Sequence, residues 1–306
     1  MTKQLLSIFI LIAGLISCKE TQLQRADNDF DVSISSPTFT FDKPVILFDE
    51  GHNNFHTTSG LYKPFANLVK NDGYELITLN DRVTEQRLGT ADIFIIANAK
   101  GSGDLNDSPV FTEEECEIVK NWVNKGGSLL LIADHFPFGS AAQRLGDKFG
   151  IDFQKGMVED SLNYDKQSKD YSQLEFSKEN KLLADHEITK GINKVITFTG
   201  QSIKCKDSCF SFLSLSSSAF DLQPKTKVTK DGNDTRVEVT YDHPTSAAGR
   251  SQGVALKFGK GKVVVLGEAA MLTAQKNRDD AKVGMNYNPG NKKLALNIMH
   301  WLTKKE

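Results

Sequence analysis

PVILFDEGHNNFHT, residues Pro44 to Thr57, decides how the chain is read. A short apolar run, Val45-Ile46-Leu47-Phe48, stops abruptly at Asp49-Glu50-Gly51-His52, and His56 follows four residues later. The first half has the composition of a strand buried on both faces of a parallel sheet. The second half has that of a polar loop at such a strand's carboxyl end, where open sheets collect ligands. Carboxylates and imidazoles this close together can bind a metal, move a proton or grip a polar ligand.

Working outward, Leu61 to Asp72 carries Leu61, Phe65, Leu68 and Val69 at helical spacing and stops at Gly73. Tyr74–Leu79 and Asp92–Ala97 read as strands, the second followed by a small, polar loop from Asn98 to Asp107. Thr112-Glu113-Glu114-Glu115 forms a capping box for a helix with Ile118, Val119, Trp122 and Val123 on one face, ending at Gly126-Gly127. Ser128–Ala133 is a fourth strand, running into Asp134-His135-Phe136-Pro137. Strands and helices alternating over short connections predict an α/β fold: a single flavodoxin-like, doubly wound, mostly parallel sheet.

Two excursions interrupt this pattern. Residues 149–185 are polar without a strong period and read as an insertion, for which a lid is the natural role; 221–250 are charged and read as a flexible hairpin. Between them lie strands at Val195–Phe198 and Phe210–Leu215. Gly253–Phe258 and Lys262–Leu266 then pair across Gly259-Lys260-Gly261, and Asn291 to Leu302 closes the chain as a helix.

Residues 1–18 read as a targeting segment, with Lys3 ahead of an apolar stretch too short for a membrane span. Its ending, Leu15-Ile16-Ser17-Cys18, resembles a bacterial lipobox in which Cys18 is lipidated. The expected organisation is a signal peptide at 1–18, a polar tether at 19–40 and one folded domain at 41–303. The expected address is the bacterial cell envelope, lipid-anchored at the periplasmic face or the outer membrane surface. Charge is nearly balanced, Lys+Arg 37 against Asp+Glu 39, with no basic stripe, which argues against nucleic acid. Cys205 and Cys209 are close enough for a disulfide, with two free thiols or half of a metal pair as the alternatives.

The order of landmarks resembles the class I glutamine amidotransferase-like superfamily, and within it the DUF4350-type bacterial proteins. These landmarks are a strand into DEGH, GGSLLLIADH, HEITKGI before a strand, and GKGKVVVLGEAA before NIMHWL. Amidotransferases of that fold place a nucleophilic cysteine after a central strand. Here Ala133-Asp134-His135-Phe136 stands there, so Cys-dependent glutamine hydrolysis is not expected.

Topology nominates the strand ends as a shared cleft. Glu50, His52, His135 and Glu268 are the candidate catalytic residues, and Asn53, His56, Asn98, Asp134 and Gln275 the candidate ligand contacts. His52, His56, Asp134 and His135 are the candidates for a divalent metal, although the HxxxH spacing lacks the glutamate of zinc proteases. No GxSxG, Walker or GxGxxG element is present, so neither a serine hydrolase nor a nucleotide cofactor is implied. Two functions follow as expectations. One is an envelope-anchored hydrolase of a small polar or carbohydrate-derived compound. The other is a non-catalytic ligand-binding or scaffold module on a degenerate amidotransferase-like fold.

Overall fold

The computed structural model describes residues 24–100, 109–206, 209–231 and 234–304. Residues 1–18 with Cys18, and most of the Asn98–Asp107 loop, lie outside the described residues. The centre is a nine-stranded sheet. Glu75–Leu79, Val45–Asp49, Ile93–Ala97, Ser128–Ile132 and Gly261–Leu266 lie side by side and run parallel. Ser251–Phe258 turns the sheet antiparallel and is followed by Ile203–Cys205 and Ile151–Phe153, while Phe210–Ser214 also pairs with Ser251–Phe258.

Alternation along each strand sorts its side chains between two cores. Ile46, Phe48, Ile95, Leu130, Ile132, Val264 and Leu266 face one side, packed with side chains from the helices Lys63–Asn71 and Pro289–Thr303. Leu47, Phe94, Ile96, Leu129, Leu131, Val263 and Val265 face the other, with side chains from Glu113–Asn124 and Phe138–Asp147. Because both faces are covered, Val45–Phe48, Ile93–Ala97, Leu129–Ile132 and Val263–Leu266 are apolar without alternation. At Gly259 (φ 58) a β-carbon would lie 2.6 Å from the Asn124 carbonyl, so the turn joining the last two long strands needs glycine for both conformation and space.

The expected class is corrected here. The described residues hold seventeen strands against five α-helices, and the sheets are mixed or antiparallel rather than doubly wound and mostly parallel. The reason lies in the second half. Residues 149–185 supply Ile151–Phe153 to the main sheet, Met157–Glu159 to a three-stranded sheet, and Glu175–Ser177, paired with Lys194–Ile196. Phe220–Asp231 pairs antiparallel with Asp234–Ser246 as a long hairpin. Strands of three residues have no readable period, and only distant partners hold them in place.

The segment expected as a tether is packed from Gln24 onward. Gln24–Ala26 pairs with Ala274–Asn277, and Phe30, Val32, Ile34 and Phe39 lie against the core. Cys205 and Cys209 form a disulfide.

Candidate functional site

Most polar groups after the first parallel strand are tied down. Asp49 is fully buried, and its carboxylate takes His52 Nδ1 at 2.9 and 3.0 Å and Asn54 Nδ2 at 3.1 Å. His52 Nε2 lies 3.2 Å from Glu115 Oε1. Glu115 is the third residue of its helix and closes the capping box: its Oε2 accepts from Thr112 N and Oγ1 at 2.9 and 2.7 Å. Its Oε1 also accepts from Val83 N at 3.2 Å. Both imidazole nitrogens face carboxylate oxygens, which only accept, so the ring carries two N–H groups and a positive charge. Burial by itself would lower the His52 pKa. The hydrogen bond to Asp49 and the charges of Asp49 and Glu115 outweigh it and hold the pKa above the ordinary value. The ring also lies 4.3 Å from the ring of Phe111. His52 is thus a clamp between two elements rather than a free base.

The neighbouring candidates are also engaged. Glu50 accepts from Thr58 N and Oγ1, each at 2.7 Å, and braces the loop. Asn53 sits at positive φ (52) and shapes the turn. His56 is buried beside Tyr62 and Phe55, ring centroids 4.9 and 5.1 Å away, and its Nδ1 has no partner among the described residues. Burial drives its pKa down to about 3, so it is neutral.

A second cluster lies at the ends of Ser128–Ile132 and Gly261–Leu266. Asn98 Oδ1 accepts from Asp134 N at 2.9 Å, and Asp134 accepts from His135 N at 2.8 Å and Ala269 N at 3.4 Å. Glu268 is fully buried and accepts from Ala270 N and Met271 N at 2.6 and 2.7 Å. Gly200 admits this arrangement, since a β-carbon there would lie 2.5 Å from that of Glu268. Burial, then the charge of Asp134, pushes Glu268 well above the usual carboxylate range; burial also raises Asp134. Two such groups sharing a dry site oppose each other's ionisation, and Glu268 is the more strongly affected.

His135 turns outward: its Nδ1 meets Tyr241 Oη at 2.9 Å and Phe136 O at 3.1 Å. Gln275 lies in the small sheet beside Ala26, with Nε2 bonded to Thr273 Oγ1 at 2.7 Å.

Among the described residues, no hydrogen bond joins any two of Glu50, His52, His135 and Glu268; each has its own local partners. Nor does any group of three or more His, Cys, Asp or Glu side chains have the arrangement to hold a metal ion among them. Sequence reasoning missed Tyr62, Gln201 and Tyr241. Gln201 donates to the carbonyls of Ala133 and Asp134, each at 2.8 Å, and accepts from Lys155 N at 2.6 Å. No local pattern marks these residues. Glu115 was legible as a cap but not as a partner of His52.

The family model of the IFT52 GIFT domain matches residues 45–306. Among solved structures, the chain is similar to the mmIFT52 N-terminal domain at 17% identity and a TM-score of 0.60, over 86% of this chain and 98% of that one. Similarity to a ThuA-like protein from Bacteroides uniformis is 12% in identity with a TM-score of 0.42, covering 89% and 95% of the two chains. A cytoplasmic protein from Salmonella typhimurium gives 12% and 0.46, covering 85% and 100%. No curated protein matches the sequence.

These findings correct the resemblance to the amidotransferase-like superfamily and its DUF4350-type members: the family model is that of IFT52, and the fold is that of the IFT52 domain. The readings as an envelope-anchored hydrolase, a lipid-anchored binder of a small polar ligand and a protein of the bacterial envelope are corrected on the same match, which is to an intraflagellar transport family.

Three outcomes follow from the buried groups. His52→Gln should cost about 3–5 kcal/mol in urea unfolding, because it leaves two buried carboxylates without their cation. With its pKa raised on folding, His52 stabilises fully below about pH 6.5 and loses that contribution as pH rises through the folded value; the variant should lack this alkaline decline. His56 has the opposite sign. Its folded pKa of about 3 lies below the unfolded value of about 6.5, so stability falls on acidification between them, by up to about 1.4 kcal/mol per pH unit. His56→Leu should flatten that limb in urea midpoints measured from about pH 4 to 8. Infrared spectra at neutral pH should show a protonated-carboxyl band that disappears in Glu268→Gln.

Proposed function

The chain belongs to the IFT52 GIFT domain family, and on that premise we propose that it is a non-catalytic scaffold domain that binds protein partners within a larger assembly of the intraflagellar transport kind. The observation that carries this reading is the closure of the strand-end chemistry. His52 has both ring nitrogens engaged, Glu268 is sealed from solvent with both oxygens on backbone N–H groups, and Glu50 braces its own loop. A reacting group must reach its substrate, and these would first have to give up structural bonds.

The surface supports the same reading. Of the long hairpin, only Phe220–Leu222 pairs with a third strand; the rest of that strand is hydrogen-bonded only to its hairpin partner among the described strands. A two-stranded ribbon of this kind offers backbone donors and acceptors to another chain.

The test is native electrophoresis of the full chain from its own cells, beside a variant in which residues 225–240 are replaced by two glycines. The wild type should migrate in an assembly much larger than the monomer, and the variant should be released from it with its melting temperature unchanged. A monomeric wild type would overturn the reading. So would turnover of any substrate abolished by Glu268→Gln in a folded protein.

A further inference from the structure

The two edges of the nine-stranded sheet are finished differently. At one edge, Ile151–Phe153 turns the Ile151 carbonyl and the Phe153 N–H outward. The Gln143 side chain, from the helix Phe138–Asp147, donates to the first and accepts from the second, each at 3.1 Å, as a further strand would. At the other edge, Glu75–Leu79 pairs with Val45–Asp49 alone, and no described side chain plays the part of Gln143.

Register decides which backbone groups remain. Glu75 N donates to Pro44 O at 3.0 Å, and Glu50 N donates to Leu79 O at 2.8 Å. In a parallel ladder with that register, Glu75, Ile77 and Leu79 turn their N–H and C=O groups inward. Leu76 and Thr78 turn theirs to the open side, where no described residue hydrogen-bonds them. Natural sheets blunt such edges with proline, lysine, a bulge or a covering segment. Glu75–Leu79 has no proline or lysine and no break in register, and Ile77 at its centre is 39% exposed.

We infer that Glu75–Leu79 pairs antiparallel with the same strand of a second copy of this chain, about a two-fold axis through Ile77, so that two sheets become one. In that register Leu76 of each copy exchanges both backbone hydrogen bonds with Thr78 of the other, Ile77 meets Ile77, and Glu75 faces Leu79. Centring the axis on Leu76 would call on the N–H of Tyr74, which is already given to Val69 O at 3.1 Å. Centring it on Thr78 would set Glu75 against Asp81, like charge on like. The edge is therefore complementary to itself in backbone, apolar contact and charge at one register. The pairing also closes on itself: it uses the open edge of both copies, and the joined sheet then ends at Gln143 on either side. The inference goes beyond the scaffold reading and does not rest on it, since it concerns the chain alone.

The test is sedimentation velocity of the purified full chain beside Ile77→Lys and Thr78→Pro. The wild type should sediment at twice the mass of one chain. Ile77→Lys places two ammonium groups on the axis, and Thr78→Pro removes an N–H that faces outward, so both variants should lose the dimer. Circular dichroism spectra matching the wild type check that they fold. The register is read separately with Ile77→Cys and Glu75→Cys under oxidising conditions. Directly opposed residues of a non-hydrogen-bonded pair stand about 4.5 Å apart between Cα atoms, within reach of a disulfide, whereas Glu75 lies opposite Leu79. Ile77→Cys should therefore crosslink to a covalent dimer and Glu75→Cys should not. A monomeric wild type would overturn the inference and leave the edge to a strand of another protein. A dimer that persists in folded Ile77→Lys and Thr78→Pro, or equal crosslinking of the two cysteine variants, would overturn it as well.

Discussion

The protonated His52 ring held between Asp49 and Glu115 is the constraint from which the carboxyl edge of the sheet is built. Asp49 belongs to the strand Val45–Asp49, and Glu115 to the helix Glu113–Asn124, which packs on one face of the sheet. A single imidazolium therefore fastens a central strand, the loop after it and the helix that follows the neighbouring strand Ile93–Ala97. In a dry setting the attraction is strong because the alternative, two carboxylates without a cation, is so unfavourable. Glu115 serves twice, as the closing residue of a capping box and as an anchor for the clamp, so the start of that helix and the loop Glu50–His56 cannot shift independently.

What the clamp positions is as telling as what it consumes. It sets the path of the chain to Asn98, whose carbonyl receives Phe55 N, and whose side chain in turn receives Asp134 N. Polar residues at four strand ends are thereby linked into a frame. Such residues resemble a reaction centre when seen in sequence, since histidines and carboxylates supply both catalysis and buried ion pairs. The difference lies in whether any lone pair or proton is left over for a substrate. At His52 none is, and Glu268 is sealed from solvent. At His56 a nitrogen is left over, but burial keeps the ring neutral and its neighbours are aromatic.

Much of the first half of the fold was legible because its signals are local. Val45–Phe48, Asp92–Ala97 and Ser128–Ala133 are runs of apolar residues long enough to identify as strands, and Thr112 to Glu115 announces a helix start through contacts three residues apart. The error in class arose where those signals stop. Ile151–Phe153, Met157–Glu159 and Glu175–Ser177 are too short to show alternation, and the polar character of the hairpin expected at 221–250 hid the length of its strands. Extending the opening pattern across the whole chain turned a mixed, mostly β architecture into a parallel one. It also carried a family resemblance that the match to the IFT52 GIFT domain corrects.

By itself the sequence determined which residues are buried strand, where the first helices begin, and which histidines and carboxylates sit at strand ends. Those properties depend on side-chain character and on neighbours within a few positions. Only the tertiary structure decided what the polar residues do. The His52–Glu115 contact spans 63 positions and the His135–Tyr241 contact 106, and no spacing rule reaches so far. Whether an imidazole is a base or a clamp depends on what faces each nitrogen once the chain has closed, and that is settled by packing rather than by composition.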